Sequence, residues 1–548
     1  MDERLITIEK GINAVENVVI SKNLEVDNDR VIKGSITITE KNHSLNFDVT
    51  IYQPYPLQFH DVETIRFINP ELIEFNHVNS DGSICIHTPH NEDLKSKIYY
   101  DISSLKEWMV KYYINQEVDE HYDHIMVVES DLKAYKSCYL FTDLNYDIIK
   151  GGFGHVHYSV MSKGMYMDRP VFTYLIQNFW LNNKLSASCK WSKSYSKLNY
   201  QKGLFVFLEC PPVRNKRFIV DSWGDIEQYV TQEFLKFLNG VKKNNNFRKQ
   251  GISELPLFIG YKIPTGETHW QCALIDVTAF PDYAEKNNGI YMGHLADEPI
   301  NWAQTKNVSP LYFFGRGSLC DAITNKKILM IGIGAVGSIV ATTLTRGGCK
   351  SITLVDHDIK EPENVCRSEY DFNSGLNGKV IDMKNTLTKI SPFIEVSTFA
   401  EFMDAVKLFI NNGRHNTALK KIIDQYDLII DCTADNDVAY ILESLGVESE
   451  IINLSITNHA RELVCAVKPN LYHWLQQIFK YLSSENDDLY NPTGCWSPTF
   501  RASYNDINFM VQFAIKHINL ILKEGKPLRS FYLKSDDTND LNIKLHQF

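Results

Sequence analysis

Residues Lys326–Lys379 read KKILMIGIGAVGSIVATTLTRGGCKSITLVDHDIKEPENVCRSEYDFNSGLNGK, and their order decides the fold of the C-terminal part of the chain. The apolar run Ile328–Ile331 leads into Gly332, Gly334 and Gly337. A helix-like run follows, and a second apolar strand, Ser351–Val355, ends at Asp356. A strand, a glycine turn, a helix and a second strand with an acid at its end describe a nucleotide-binding unit of the Rossmann-like α/β kind. The glycines let the backbone approach a phosphate closely, and the first N–H groups of the helix meet the anion with the positive end of the dipole. Asp356 stands about 20 residues past the turn, where a ribose hydroxyl needs an acceptor.

A nicotinamide dinucleotide site would satisfy that pattern equally well, and the residues after Asp356 separate the readings. Asp358, Asn364, Arg367 and Lys379 crowd one short segment. A dinucleotide needs few cations there. A triphosphate needs several, because a leaving pyrophosphate develops charge that Arg and Lys must hold. Further on, DLIIDCTADND gives a third apolar strand that ends in Asp435 and Asp437. Carboxylates at the C-terminal edge of a strand can hold Mg²⁺ through its waters. Together these residues read as an ATP site that forms an acyl-adenylate.

The segment resembles the adenylation domain of ubiquitin-activating enzymes and their bacterial ThiF-like relatives. The shared pattern is the glycine turn (Gly332, Gly334, Gly337), an Asp-x-Asp (Asp356, Asp358), an Asn and an Arg (Asn364, Arg367), a Lys (Lys379) and a strand end at Asp435 and Asn436. An extra residue, Ala434, separates Thr433 from Asp435, so the metal acid is either Asp435 or Asp437. Each element alone is weak: a GxGxxG occurs in many nucleotide sites, Arg367 and Lys379 singly read as solvated charges, and Asp435 singly reads as a loop or cap residue. Five elements in the right order carry the reading. The resemblance also implies an N-terminal Arg that reaches a phosphate. Arg316 fits that role, or is a plain surface residue.

At 548 residues the chain is expected to form two to four domains. It is 44% hydrophobic and 22% charged, enough to bury a core in each. The net charge of −11 argues against a general nucleic-acid surface. No long apolar run reads as a membrane span and MDERLITIEKG does not read as a signal peptide, so a cytoplasmic location is expected. Eleven cysteines without a C-x-x-C pair give no zinc signal and fit free thiols in a reduced compartment. Cys210, Cys349 and Cys432 read as small core residues.

The N-terminal 125 residues are organised differently. Arg30–Thr39 and Ser44–Tyr52 alternate apolar and polar residues around a polar turn, the pattern of a β-hairpin. Pro54 and Pro56 then impose an extended path, HVNSDGSICIHTP centres on Cys85, and Leu105, Trp108, Met109, Tyr112 and Tyr113 have the spacing of an amphipathic helix. This order resembles a ubiquitin-conjugating α+β domain, with Tyr55, Pro56, Asn79, Asp81, Gly82, Ile84 and Cys85 as the matching residues. The resemblance implies a Cys85 thioester passed to an amine. That chemistry needs an accessible sulfur and nearby donors for a tetrahedral oxyanion. Where the eukaryotic family has the Asn of His-Pro-Asn, this chain has His77. An imidazole there serves the oxyanion or a proton transfer, or is structural.

An activating enzyme of this type first moves its acyl group from AMP to its own cysteine. Cys495 lies in a polar loop, about 483–498, between a helix expected at Leu471–Leu482 and the C-terminal region. Cys366, beside Arg367, is the competing thiol. The expected organisation is a conjugating-like domain (1–125), a mixed α/β linker domain (126–312) and a ThiF-like adenylation domain (313–548). The linker shows no readable motif, with strands expected at Leu204–Leu208 and Leu257–Tyr261 and a surface loop at Lys242–Lys249. Such a fusion resembles the activating–conjugating proteins of bacterial anti-phage CBASS operons. The resemblance implies a homodimer, the C-terminal tail of a cGAS/DncV-like nucleotidyltransferase as the activated partner, and an amine acceptor. Two other readings stay open: a sulfur-carrier-type adenylyltransferase with a non-catalytic N-terminal binding module, and a nucleotide-binding scaffold.

Overall fold

The computed structural model describes residues 3–59, 63–117, 137–166, 169–244, 246–263, 266–287, 290–399, 415–481, 502–536 and 541–547. They divide into two units, one of residues 1–189 and 198–306, the other of 190–197 and 307–548. No helix among the described residues is long and apolar enough to cross a membrane.

Among the described residues the first unit holds a four-stranded sheet, an eight-stranded sheet and two two-stranded hairpins. At its N-terminus a four-stranded antiparallel meander, Val18–Val26, Ile32–Glu40, His43–Ile51 and Ile65–Ile68, is packed by the helices Glu3–Asn13 and Leu94–Trp108. The expected hairpin is present, and its turn residues Lys41 and Asn42 both have positive φ, the backbone that matches strand twist in tight hairpins. Asp93 caps the second helix by accepting from the Ser96 N–H at 2.9 Å. Ile98, Ile102 and Leu105 recur at helical spacing, and all three are buried against Ile36, Phe47 and Val49 of the sheet.

The rest of this unit is richer in strand than a mixed linker suggests. Eight strands pair in one sheet, and its first strand, Ser137–Phe141, also pairs with Arg169–Leu181, so the pairing closes on itself. The expected strands appear as Tyr200–Phe207 and Glu254–Lys262. Lys242–Lys249 is not a loop: most of it belongs to the helices Gln232–Asn244 and Asn246–Lys249. Lys242, Lys243 and Asn244 are the solvated face and end of a helix whose Phe234, Leu235 and Leu238 are buried. Cys210 corrects another reading. It is exposed, because its strand stops at Phe207 and the sulfur falls in the turn before Pro211.

The second unit is built on an eight-stranded mixed sheet. In sheet order its strands are Glu395–Thr398, Ser351–Val355, Lys327–Ile331, Leu428–Asp431, Glu450–Thr457, Glu462–Val467, Phe531–Asp536 and Asn542–Gln547. The first five pair in parallel and the last three antiparallel. The central strands are mostly apolar because both faces are covered, and their polar Thr353 and Asp431 are buried too. Ile328 and Met330 enter one core with Ile339, Leu344 and Met510, while Leu329 and Ile331 enter the other with Val438, Leu442 and Leu475. Cys349 and Cys432 are buried as expected.

Candidate functional site

Strand order reverses between Lys327–Ile331 and Leu428–Asp431, so the chain leaves these two strands in opposite directions and a crevice opens beyond their ends. A cavity of about 410 Å³ lies there. Gly334, Ala335 and Val336 line it from the glycine turn and the first turn of the helix Ala335–Arg346. Asn364, Arg367, Ser368 and Tyr370 line it from the segment after the second strand, Lys379 from the start of the next helix, and Cys432, Thr433 and Ala434 from the end of the fourth strand. The sequence-predicted Gly334, Asn364, Arg367 and Lys379 are therefore brought to one cavity of the size that takes small ligands. Three of its features favour an anion: the helix N-terminus, a guanidinium and an ammonium.

The turn itself is pinned on both sides of its middle residue. The Ile333 N–H donates to Asp356 Oδ2 at 2.7 Å, and the Ile333 carbonyl accepts from the Tyr370 hydroxyl at 2.6 Å. Asp356 Oδ1 accepts from the Asp358 N–H at 2.9 Å. Asp356 thus acts as a strut of the turn in addition to whatever it offers a ligand. Gly337 makes the close approach between helix and turn, since a Cβ there would lie 1.9 Å from the Gly332 carbonyl oxygen. Gly337→Ala is expected to force the two apart and cost about 1–3 kcal/mol or more. Thermal unfolding checks this, and an unchanged midpoint would refute it.

Lys379 Nζ lies 2.8 Å from Asp358 Oδ2. That ammonium, against a smaller opposing effect of burial, holds the Asp358 carboxyl below its ordinary range. The Asn364 side-chain oxygen accepts from the Glu361 N–H at 3.0 Å, which fixes the short helix Pro362–Val365 that presents Arg367.

Asp435 and Asp437 are placed differently. Both are exposed and neither lines the cavity. Asp435 Oδ1 accepts from the Asp437 N–H at 2.8 Å, as the N-cap of the helix Asn436–Ser444. The extra Ala434 sits at φ 55°, in the left-handed region that side chains other than Gly, Asn and Asp rarely adopt, and it reaches the cavity where the shared pattern has an acid. Among the described residues, the group of three ligand-bearing side chains with mutually close atoms is Asp356, His357 and Asp358. Arg316 is exposed and does not line the cavity. Cys366 is exposed, its thiol donating to the Glu363 carbonyl at 3.3 Å. Cys495 and the loop 483–498 lie outside the described residues, as does the expected boundary at 125/126.

Sequence reading passed over Asp431, Tyr370 and Ser455. Asp431 is fully buried, and burial pushes its carboxyl up. It accepts from the Thr433 N–H and hydroxyl and from the Asn453 amide at 2.8 Å, and Asn453 in turn accepts from the Ser455 hydroxyl. The network fixes Thr433 and Ser455, which both line the cavity. In an apolar strand a single Asp gives no sequence signal beyond its position before Cys-Thr.

In the first unit, Cys85 follows a turn at Gly82, which has φ 80° and where a Cβ would lie 2.6 Å from Pro70 Cα. The turn is tied by Asp81 Oδ1, which accepts from the Ser83 N–H and hydroxyl. Cys85 is half-buried, and burial pushes its thiol up. Its Sγ lies 3.5 Å from His87 Nε2, and its N–H donates to the His77 carbonyl at 2.7 Å. His77, at φ 60°, packs its ring 4.7 Å from Tyr112. Three residues past Cys85, Thr88 bonds to a buried cluster: Lys97 Nζ reaches Glu63 at 2.9 Å, Asp101 at 2.6 Å and Thr88 Oγ1 at 2.6 Å, and the Tyr55 hydroxyl donates to Asp101 at 2.8 Å. Of these, His87 lies within the stretch read around Cys85, and Lys97 lies outside it.

Residues 305–459 match the ThiF family model. The residues that line the cavity from Gly334 to Ile456 lie within that matched stretch. The ATP-dependent ubiquitin transferase-like protein Cap2 of Enterobacter hormaechei subsp. hoffmannii is 25% identical over 252 residues, covering 44% of this chain and 40% of that protein. Ubiquitin-like modifier-activating enzyme 5 of Caenorhabditis briggsae is 33% identical over 133 residues, covering 24% of this chain and 30% of that protein. The matched stretch thus spans less than half of either relative. Among solved structures, Escherichia coli MccB with ATP superposes with a TM-score of 0.29 at 19% identity, covering 42% of this chain and 64% of that one.

Proposed function

We propose that this chain activates the C-terminus of a protein by adenylation with ATP, takes it as a thioester, and passes it through Cys85 to an amine. The observation that carries this reading is the cavity at the strand-order reversal, where a glycine turn and a helix N-terminus meet Arg367 and Lys379. In this reading the substrate carboxylate attacks the α-phosphate of ATP. Pyrophosphate leaves against Arg367, Lys379 and the backbone N–H groups of the turn, and an acyl-adenylate remains. Asp356 keeps the turn in place, and Asp358 orients Lys379. Asp435 and Asp437, two exposed carboxylates at the strand end, fit a hydrated Mg²⁺, which would neutralise phosphate charge. A thiolate then displaces AMP to give a thioester. Cys495 is the assigned thiol and Cys366 the competing one. Transfer to Cys85 exchanges one thioester for another, and an amine finally displaces the Cys85 thiolate to leave an amide.

The resemblance to CBASS fusion proteins and the similarity to Cap2 support a nucleotidyltransferase tail as the activated group. The test uses the full chain produced together with its neighbouring genes. Cys85→Ala is expected to retain ATP–pyrophosphate exchange and to accumulate a thiol-reducible adduct elsewhere on the chain, whose mass identifies the partner. Unchanged ligation in Cys85→Ala would favour the sulfur-carrier-type adenylyltransferase. An absence of exchange with the partner present would leave the nucleotide-binding scaffold.

A further inference from the structure

The middle of the chain offered no motif, yet it reaches the Cys85 site through one short hairpin. Val213–Arg214 pairs with Phe218–Ile219, and the turn between them carries Asn215 and Lys216 at φ 48° and 61°. Arg214 and Asp221 form an ion pair at its base. The tip presents Arg217, which is 4% exposed. Its guanidinium donates to the backbone carbonyl of Phe75 and, at 3.0 Å, to that of Val78. Beside it Lys216 Nζ lies 2.7 Å from Glu74.

The two carbonyls that Arg217 holds flank His77, the residue in left-handed backbone whose own carbonyl accepts from the Cys85 N–H at 2.7 Å. One hydrogen-bonded chain therefore runs from the hairpin tip through the 75–78 turn to the amide of the reacting cysteine. Without a rigid partner, a non-glycine residue at positive φ relaxes toward ordinary backbone and takes its carbonyl with it. A guanidinium suits the task, since its Nη1 carries two N–H groups, donates to both oxygens and stays charged when buried. Burial lowers its pKa to about 10, which still leaves it protonated at neutral pH.

We infer that the 213–219 hairpin of the middle domain is an intramolecular clamp on the Cys85 site, with Arg217 as a positioning residue that sets the His77 turn and so the place of the Cys85 sulfur. The inference deepens the proposed conjugating role and rests on it. It gives the middle domain a function in the transfer step: the conjugating cysteine is competent only with this domain docked.

The test compares wild type, Arg217→Ala, Arg217→Lys and Glu74→Ala in the full chain, supplied with the activated protein partner. Three quantities are read: ATP–pyrophosphate exchange, the single-turnover rate of thioester formation on Cys85, and the rate of Cys85 alkylation by iodoacetamide. Arg217→Ala is expected to keep exchange, to slow Cys85 loading by roughly 10²-fold, the typical effect of a misplacement of about 1 Å, and to speed alkylation several-fold as the half-buried thiol is released. Arg217→Lys, which keeps the charge but has a different length and shape, is expected to fall between and guards against a variant that simply fails to fold. Glu74→Ala is expected to match wild type, since an exposed ion pair contributes little. Unchanged loading and alkylation in both folded Arg217 variants would overturn the clamp. A wild-type chain that never carries an adduct on Cys85, while alkylation still responds to Arg217, would refute the conjugating reading and leave the clamp as a structural fact.

Discussion

Arg367→Ala is expected to lower ATP–pyrophosphate exchange by roughly 10²-fold or more without unfolding the chain, by analogy with removal of a donor from an oxyanion site. Arg367 is half-buried in the wall of the cavity and presented by a helix whose ends are tied by their own backbone and by Asn364, so its loss removes a charge and leaves the scaffold. Lys379→Ala is expected to do more damage. Lys379 holds Asp358 at 2.8 Å, so its removal takes away an ammonium and leaves a carboxylate in the same place, adding repulsion to the lost attraction. The double variant Lys379→Ala with Asp358→Asn is then expected to recover part of the activity. Exchange at wild-type rate in folded Arg367→Ala would remove the adenylation reading. A double variant no better than Lys379→Ala alone would show that Asp358 contributes something other than orientation.

The elements that sequence exposed best were those whose periodicity and punctuation agree. Ser351–Val355 was read to the residue because its β-branched and apolar residues run between a Gly-containing turn and an acid. The glycine turn was legible for the same reason: Gly337 is required by a contact a side chain would occupy. Asn364, Arg367 and Lys379 were found through the chemistry they bring and do share a cavity.

What stayed hidden depends on contacts between distant segments. Tyr370 and Asp356 meet at Ile333 through different loops, and Asp431 works through Asn453 on the neighbouring strand. Nothing local marks either. Asp435 carries two readings at one position. Its place in a motif suggested a ligand to metal, while locally it is a helix N-cap, a role any Asp before a helix fills. Arg217 was invisible because its partners are backbone carbonyls, which every residue has. Cys210 was misread because a strand's last residues look apolar in sequence whether or not the strand continues.

Lys97→Met is expected to destabilise the N-terminal meander and its helices by about 3–5 kcal/mol, the cost of removing one partner from a buried charge cluster. Lys97 is fully buried and its ammonium meets two carboxylates, Glu63 and Asp101, that are themselves buried. Burial raises Asp101, offset in part by its bonds to Lys97, Thr88 and Tyr55. Burial also raises Glu63, but Lys97, Gln58 and Thr88 outweigh it and hold that carboxyl below its ordinary value. Without the ammonium, the two acids face each other with no cation between them, and one must take up a proton. Thr88 loses the donor that fixes it three residues after Cys85, so the folded fraction is expected to load Cys85 more slowly as well. At roughly 4–8 °C per kcal/mol for a domain of this size, unfolding of the N-terminal domain moves down by more than about 10 °C, while pyrophosphate exchange, which belongs to the other unit, stays at wild-type rate. The triple variant Glu63→Gln, Lys97→Met, Asp101→Asn removes every charge at once and is expected to be more stable than Lys97→Met alone, because no uncompensated ion remains. If Lys97→Met melts with wild type, the cluster contributes nothing to the fold. If the triple variant restores stability but not Cys85 loading, the charges are kept for the placement of the thiol.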